Sequence, residues 1–235
     1  MKNQREKALA GAFFASLRLC EKKSYNSAKS IHTLNINMVV TETSSTHSLN
    51  SLPLRLLSVQ EYNLMVEVGI LTDEEKVELI NGQIITMSPQ KSFHAAAITR
   101  TNRLFNQQLD RVLIRLQLPI IINDFSQPEP DIAIVKYDAL DYDDRHPNGE
   151  EVYLIMEIAD TTLKTDLEVK RQLYASANIP DYWVLDLKQR QLYVYRESNG
   201  QDYQATMILT GEDVVTPLNF PEIKIKVSQM LRPLN

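Results

Sequence analysis

Cysteine is nearly absent from this chain: Cys20 is the only one in 235 residues. A single thiol can form neither an intramolecular disulfide nor a thiolate zinc cluster, so a reducing cytoplasm is the expected compartment. No apolar run approaches the roughly 18 residues that cross a bilayer, which argues against a membrane protein. Glycine is sparse, at 6 residues. Neither a glycine-rich phosphate loop nor a Gly-x-Ser-x-Gly elbow occurs, so the sequence offers no P-loop and no serine-hydrolase nucleophile. Positive charge is not in excess either: 25 Lys and Arg face 30 Asp and Glu, for a net charge of −5. The basic surface typical of phosphate-binding proteins is therefore missing from the overall balance. What remains, 43% hydrophobic and 23% charged residues, is the composition of a folded globular chain of one or two domains.

Residues 1–50 read differently from the rest. They carry Ser, Thr and Asn clusters and no sustained period, which predicts a poorly ordered extension ahead of a domain over 51–235. Ala8–Leu19 is apolar and follows basic residues, but the charged Cys20-Glu-Lys-Lys that comes next is not a signal-peptide cleavage site. Met38 is an alternative start for the chain.

Within the domain, Ser58 and Glu61 predict a capping box on a helix running to about Val68, with Gly69 ending it. Asn81-Gly82 between two apolar runs predicts a tight hairpin. An imperfect apolar stripe (Phe93, Ala97, Leu104, Leu109, Val112, Leu116) predicts a long helix from Ser92 to Leu116. Pro119–Asn123, Asp131–Val135 and Val152–Ile158 read as strands, the last apolar enough to lie in the centre of a sheet. Thr162–Ala177 reads as a helix, and Tyr182–Leu187 and Gln191–Arg196 as strands again. Residues 203–227 suggest further short strands.

The chemistry lies in residues that break these patterns. Asp131 opens one strand and Glu157 stands at the end of the next. If the two strands pair antiparallel, both carboxylates reach one edge of the sheet. Like charges that close call for a cation, and oxygen donors suit Mg²⁺ or Mn²⁺. Glu157 follows Tyr153 and Ile155 at period two, on a face that should be buried; the alternative is that it reaches water at the strand end. Lys170 interrupts the helical stripe of Leu163, Leu167, Tyr174 and Ala177. It either snorkels to solvent or aims at the carboxylates, with Asp166 one turn earlier as an ion-pair partner. Trp183 and Tyr182 read as core or interface residues, and Gln127 has no assignable role.

Pro130-Asp131, Met156-Glu157-Ile158, Asp166 to Tyr174 with Lys170 inside, and Ile179-Pro-Asp-Tyr-Trp183-Val-Leu-Asp186 together resemble the putative restriction endonuclease domain family of the PD-(D/E)XK superfamily. Glu78-Leu-Ile-Asn-Gly82 and Met87-Ser-Pro89 followed by His94 match upstream. The resemblance spans about Leu57 to Arg196. It implies an α/β, restriction-endonuclease-like mixed sheet flanked by helices, with an N-terminal helix and β-hairpin. It implies a divalent-metal-dependent endonuclease hydrolysing DNA phosphodiester bonds, with Asp131 and Glu157 as metal ligands for Mg²⁺ or Mn²⁺ and with Lys170 completing the catalytic set. The superfamily places a lysine two residues after the glutamate, where this chain has Ala159; the resemblance implies that Lys170 replaces it from the following helix. Glu78 is then a further ligand or a partner of Lys170, or an exposed strand-end residue. His94 is an acid/base or phosphate contact, or a local structural residue. By analogy with nucleases that cut both strands of a duplex, a homodimer is expected. The alternative reading is a catalytically degenerate nuclease-fold module that binds nucleic acid or protein, favoured by the acidic balance and by Ala159.

Overall fold

Local signals set the first elements. Ser58 caps helix α1 (Val59–Glu67), its hydroxyl accepting from the Glu61 N–H at 3.2 Å while the Glu61 carboxylate accepts from the Ser58 N–H at 3.0 Å. This reciprocal box contributes about 1 kcal/mol to such a helix. In this computed structural model the described residues are 53–72 and 74–234. The expected extension over 1–50 lies outside them. Strands β1 (Val77–Ile80) and β2 (Gln83–Thr86) form the hairpin, with Asn81 at φ 49° and Gly82 at φ 73°. Two successive positive φ values are the mark of the tight turn that Asn-Gly favours.

Helix α2 (Ser92–Asn106) is shorter than its apolar stripe suggested. The chain turns at Gln107 and Gln108, reverses through Arg111 at φ 59° and continues as strand β3 (Val112–Arg115). Val112 and Leu116 fitted the helical stripe by spacing, but Val-Leu-Ile pairs more favourably on a pleated surface. Pro119–Asn123, expected as a strand, makes only isolated bridges, Ile121 to Asn148 and Asn123 to Ser126. Proline and the turn at Asn123 leave it without a ladder. The expected succession of helix, three strands, helix and strand therefore stands, with β3 taking the place of that segment.

The remaining elements are β4 (Ile132–Lys136), β5 (Val152–Ala159), a helical segment over residues 163–176, β6 (Asp181–Asp186), β7 (Gln191–Ser198), β8 (Tyr203–Thr210), the short pair β9 (Val214–Val215) and β10 (Ile225–Lys226), and a last turn of helix, α5 (Val227–Met230). The main sheet has six strands in the order β3-β4-β5-β6-β7-β8. All pairs are antiparallel except β5 with β6, which the helical segment joins as a parallel crossover. It is the mixed sheet flanked by helices expected from the sequence.

Each face of the sheet buries its own core. Ala97, Phe105, Met156, Ile158, Trp183 and Met230 pack on one side, under α2 and α5. Ile155, Ala159, Tyr174, Tyr182, Tyr195 and Tyr203 pack on the other, under the crossover helix. Trp183 and Tyr182, at 0% exposure, are thus core residues. Gln127 acquires a structural role: its amide exchanges hydrogen bonds with Asn63 at 3.2 and 3.0 Å and its N–H donates to Leu79 O, tying α1 to the hairpin. Among the described residues no helix is long and apolar enough to cross a membrane.

Candidate active site

β4 and β5 pair with Ile132 opposite Met156, so Asp131, one residue earlier, lies beside Glu157. Their proximity is direct: the Asp131 N–H donates to Glu157 Oε2 at 3.4 Å, and the Ile158 N–H donates to Asp131 Oδ2 at 2.8 Å. The antiparallel register thus brings the two acids to one end of the sheet. Glu157 shares its face with Ile155 but not with Tyr153. The ladder slips between Ile134 and Val135, opposite residues 152–154, and a bulge of this kind turns the extra residue to the other side. Tyr153 packs there, edge-on against Phe220 at 5.3 Å.

The crossover helix supplies the amine. It begins as α3 (Leu163–Thr165), widens into a π turn over Asp166–Lys170, and ends as α4 (Arg171–Ser176). Asp166, Lys170 and Tyr174 form a buried row along it, with Leu173 and Ala175 buried beside Tyr174, whereas Leu163 and Leu167 are only partly buried. Lys170 is not a snorkelling residue. It is 6% exposed, with Nζ 3.0 Å from Glu157 Oε1 and 3.2 Å from Glu78 Oε1. Tyr174 donates to the same Glu157 oxygen at 2.7 Å. The expected Asp166–Lys170 ion pair does not form. Asp166 accepts from Thr162 Oγ1 at 2.7 Å instead, because the π turn breaks the i, i+4 alignment on which that pairing depends.

Glu78 is the second residue of β1, not a strand-end residue, and it is 5% exposed. Its Oε2 accepts from the Glu129 N–H at 3.1 Å. His94, third residue of α2, holds Nε2 at 3.0 Å from both oxygens of Asp131, and Gln117 Nε2 donates to Oδ1 at 3.1 Å. Gln117 sits at φ 52°, a conformation that turns its side chain back from the end of β3 toward the site.

All six residues singled out in the sequence therefore line one cleft of about 380 Å³. His32 and His47 lie outside the described residues, and His146 belongs elsewhere, at 3.4 Å from Arg115. Four further contributors were not anticipated. By spacing Tyr174 belongs to an apolar stripe, and Gln117 and Glu129 lie outside every element expected from the sequence. Asp160, which pairs with Lys91 at 2.7 Å on the rim, follows the glutamate too closely to stand out. Only Tyr174 carried a legible signal, four residues after Lys170 on the same helical face.

Carboxylates outnumber cations here, and this shapes the ionisation of Glu157, Asp166 and Lys170. Burial, followed by Asp166, Asp131 and Glu78, pushes Glu157 up to about 8 against the pull of Lys170. Burial also raises Asp166 to about 6, again opposed by Lys170. Burial disfavours the charge on Lys170, but Glu157, Glu78 and Asp166 more than offset it and hold the amine above its ordinary range. The elevated Glu157 and the elevated Lys170 pull against each other, since each depends on the charge of its partner. The Lys170 direction is the firmer, because three acids face a single amine. Burial lowers His94, yet the hydrogen bond and charge of Asp131 outweigh it and leave the imidazole above its usual value. Burial and Glu78 raise Glu129.

The two carboxylates at the strand edge offer hard oxygen donors in a region short of positive charge, which is the chemistry Mg²⁺ or Mn²⁺ requires. Among the described residues no group of three or more His, Cys, Asp or Glu side chains is gathered to hold a metal ion. A sparse donor set still fits Mg²⁺, which commonly takes one or two carboxylates and leaves its other positions to water and phosphate.

The family model described as "Putative restriction endonuclease" (Uma2) matches residues 59–228. Among solved structures, the chain is similar to a "putative nuclease belonging to DUF820" from Anabaena variabilis. Identity is 16% and the TM-score 0.59, over 74% of this chain and 97% of that one. At such identity the likeness establishes a common fold. No curated protein matches the sequence.

Proposed function

From the premise that the chain belongs to the "Putative restriction endonuclease" family, we propose that it is a divalent-metal-dependent endonuclease that hydrolyses DNA phosphodiester bonds. Asp131 and Glu157 would hold Mg²⁺ or Mn²⁺. The ion would supply positive charge to the transferring phosphate and acidify an attacking water. Lys170 has three N–H donors, two of them directed at Glu157 and Glu78. The third meets no partner among the described residues and would reach a phosphate oxygen, where a buried ammonium offsets developing charge most strongly. Tyr174 and Lys170 together fix the Glu157 carboxylate, while Gln117 and His94 fix Asp131. Glu78 and Asp166 keep Lys170 protonated. Cleavage of both strands of a duplex calls for two copies, so a homodimer working in the cytoplasm belongs to this reading.

The observation that carries the proposal is the convergence of Asp131, Glu157 and Lys170 in one cleft, from three separate elements, with Lys170 Nζ 3.0 Å from Glu157. Plasmid nicking in Mg²⁺ or Mn²⁺ tests it. Asp131→Ala and Glu157→Ala should each lose about two or more decades of rate while keeping the native circular-dichroism spectrum, as the loss of a principal electrostatic contributor does. Cleavage at the wild-type rate in both variants rejects the assignment.

A degenerate binding module is the second reading, favoured by Ala159 and by the acidic lining of the cleft. Calorimetric titration separates the two. The nuclease requires Mg²⁺ or Mn²⁺ to bind, and to bind more weakly after Asp131→Ala.

A further inference from the structure

The two outer strands of the six-stranded sheet differ in kind. β3 is four residues long, is entered through Asp110 and Arg111, and closes on Arg115. Short length and flanking charge are the usual devices that keep a sheet edge from pairing with another chain. β8 has neither. Its eight residues, Tyr-Gln-Ala-Thr-Met-Ile-Leu-Thr, include no charge, no proline and no glycine.

Among the described residues β8 pairs only with β7. An antiparallel strand turns alternate backbone N–H and C=O groups away from its neighbour, and among the described residues no backbone partner meets that outer set along residues 204–209. The side chains there are open as well: Ile208 is 56% exposed, Met207 is 39% exposed, and Gln204 and Thr206 are exposed beside them.

We propose that β8 is the docking edge for a second copy of this chain, the two β8 strands pairing antiparallel about a two-fold axis. The homodimer is part of the nuclease reading above, but this surface is argued from the strand itself. Charge identifies the occupant. A two-fold interface sets the same patch against itself, so any charge in β8 would face its own like across the ladder, which is destabilising. A strand with no charge in eight residues meets that condition, and its Thr, Met and Ile side chains make favourable cross-strand pairs. The two sheets would then run on as one. β5 lies three strands from the edge, so the two copies of β5 would be separated by seven inter-strand steps, or roughly 34 Å.

Sedimentation equilibrium of the full chain over a dilution series, with no metal or DNA present, tests the surface independently of hydrolysis. The wild type should show twice the 27.0 kDa of the single chain, and the double variant Thr206→Lys/Ile208→Lys should fall to the single-chain mass with an unchanged circular-dichroism spectrum. A second double variant, Thr206→Glu/Ile208→Glu, should also be monomeric alone and should restore the doubled mass when mixed with the lysine variant. A wild type that is monomeric at every concentration overturns the proposal. So does a lysine variant that stays dimeric, or a mixture of the two variants that stays monomeric.

Discussion

Magnesium is expected to flatten the dependence of stability on pH, and Glu157 sets the size of the effect. Its folded value is raised to about 8, against an ordinary 4.5. A carboxyl raised on folding stabilises the fold fully below its unfolded value, and that contribution is lost as pH rises through the folded one. The loss therefore falls between about pH 4.5 and 8. At about 1.4 kcal/mol per unit, the interval corresponds to a few kcal/mol at most, with pairing to Lys170 making this an upper bound. Asp166, raised to about 6, and the raised His94 act in the same direction. His146, pushed down by burial and then by Arg115, acts in the opposite one. The carboxyls held low by partners, such as Glu151 beside Arg145, lose their contribution only in more acidic solution. A few kcal/mol is a large part of the roughly 5–15 kcal/mol that holds a domain together. A cation between Asp131 and Glu157 favours the ionised form of both. At about 100 times its Kd it adds about 2.7 kcal/mol. The assay is urea unfolding followed through the single tryptophan, Trp183, which is fully buried. In EDTA, stability should fall between about pH 5 and pH 8; in Mg²⁺ the fall should largely disappear. Equal slopes with and without Mg²⁺ would refute the reasoning, as would stability that climbs with pH in EDTA.

Lys170→Met should cost about 3–5 kcal/mol near pH 8, because Glu157 and Glu78 lose their shared cation, and less near pH 5, where the raised Glu157 carboxyl is neutral; urea unfolding at the two pH values checks both the size and the sign. Tyr174→Phe removes one hydrogen bond to Glu157. It should cost about 1.5–3 kcal/mol in the same assay if that carboxylate is charged, and a loss below about 0.5 kcal/mol would show that the hydroxyl does not support it. Gly82→Ala should destabilise the hairpin by more than about 1 kcal/mol, since the residue sits at φ +73° and an added Cβ would lie 2.5 Å from Leu56 Cβ; thermal melting reads the shift.

How much of this was legible depended on whether the deciding forces were local. The capping box at Ser58 and the Asn81-Gly82 turn were readable because each is closed by residues adjacent in sequence. The pairing of Asp131 with Glu157 was readable because two strands joined in sequence have few ways to pair, and the antiparallel one brings start to end. The limits of α2 were not readable: Val112 and Leu116 satisfy a helical period and a strand alike, and the choice was made by pairing with β4, twenty residues further on. Asp166 and Lys170 stand one α-helical turn apart, so the sequence suggested an ion pair. The π turn that separates them follows from tertiary packing, where the Tyr182 hydroxyl donates to the Asp166 carbonyl at 3.0 Å. Gln117 and Glu129 reach the cleft through loops, whose course no periodicity announces.

The position of the lysine is explained by the same packing. Ala159, at the position where the resemblance led to the expectation of a lysine, is 0% exposed and belongs to the core formed with Tyr174, Ala175 and Val184. A lysine there would have to displace the helix that covers β5. With the small side chain, α4 comes down onto the strand, and the same close approach carries Tyr174 to 2.7 Å from Glu157 and Lys170 to 3.0 Å. The π turn sets the angle of that approach, leaving Asp166, Lys170 and Tyr174 as the buried row and Leu163 and Leu167 at the margin. A charged row facing the sheet is costly unless every member has a partner. Glu157 and Glu78 provide partners for Lys170, and Thr162 provides one for Asp166. The small side chain at 159 therefore lets the helix that carries Lys170 lie close enough to the sheet for the amine to reach Glu157 and Glu78.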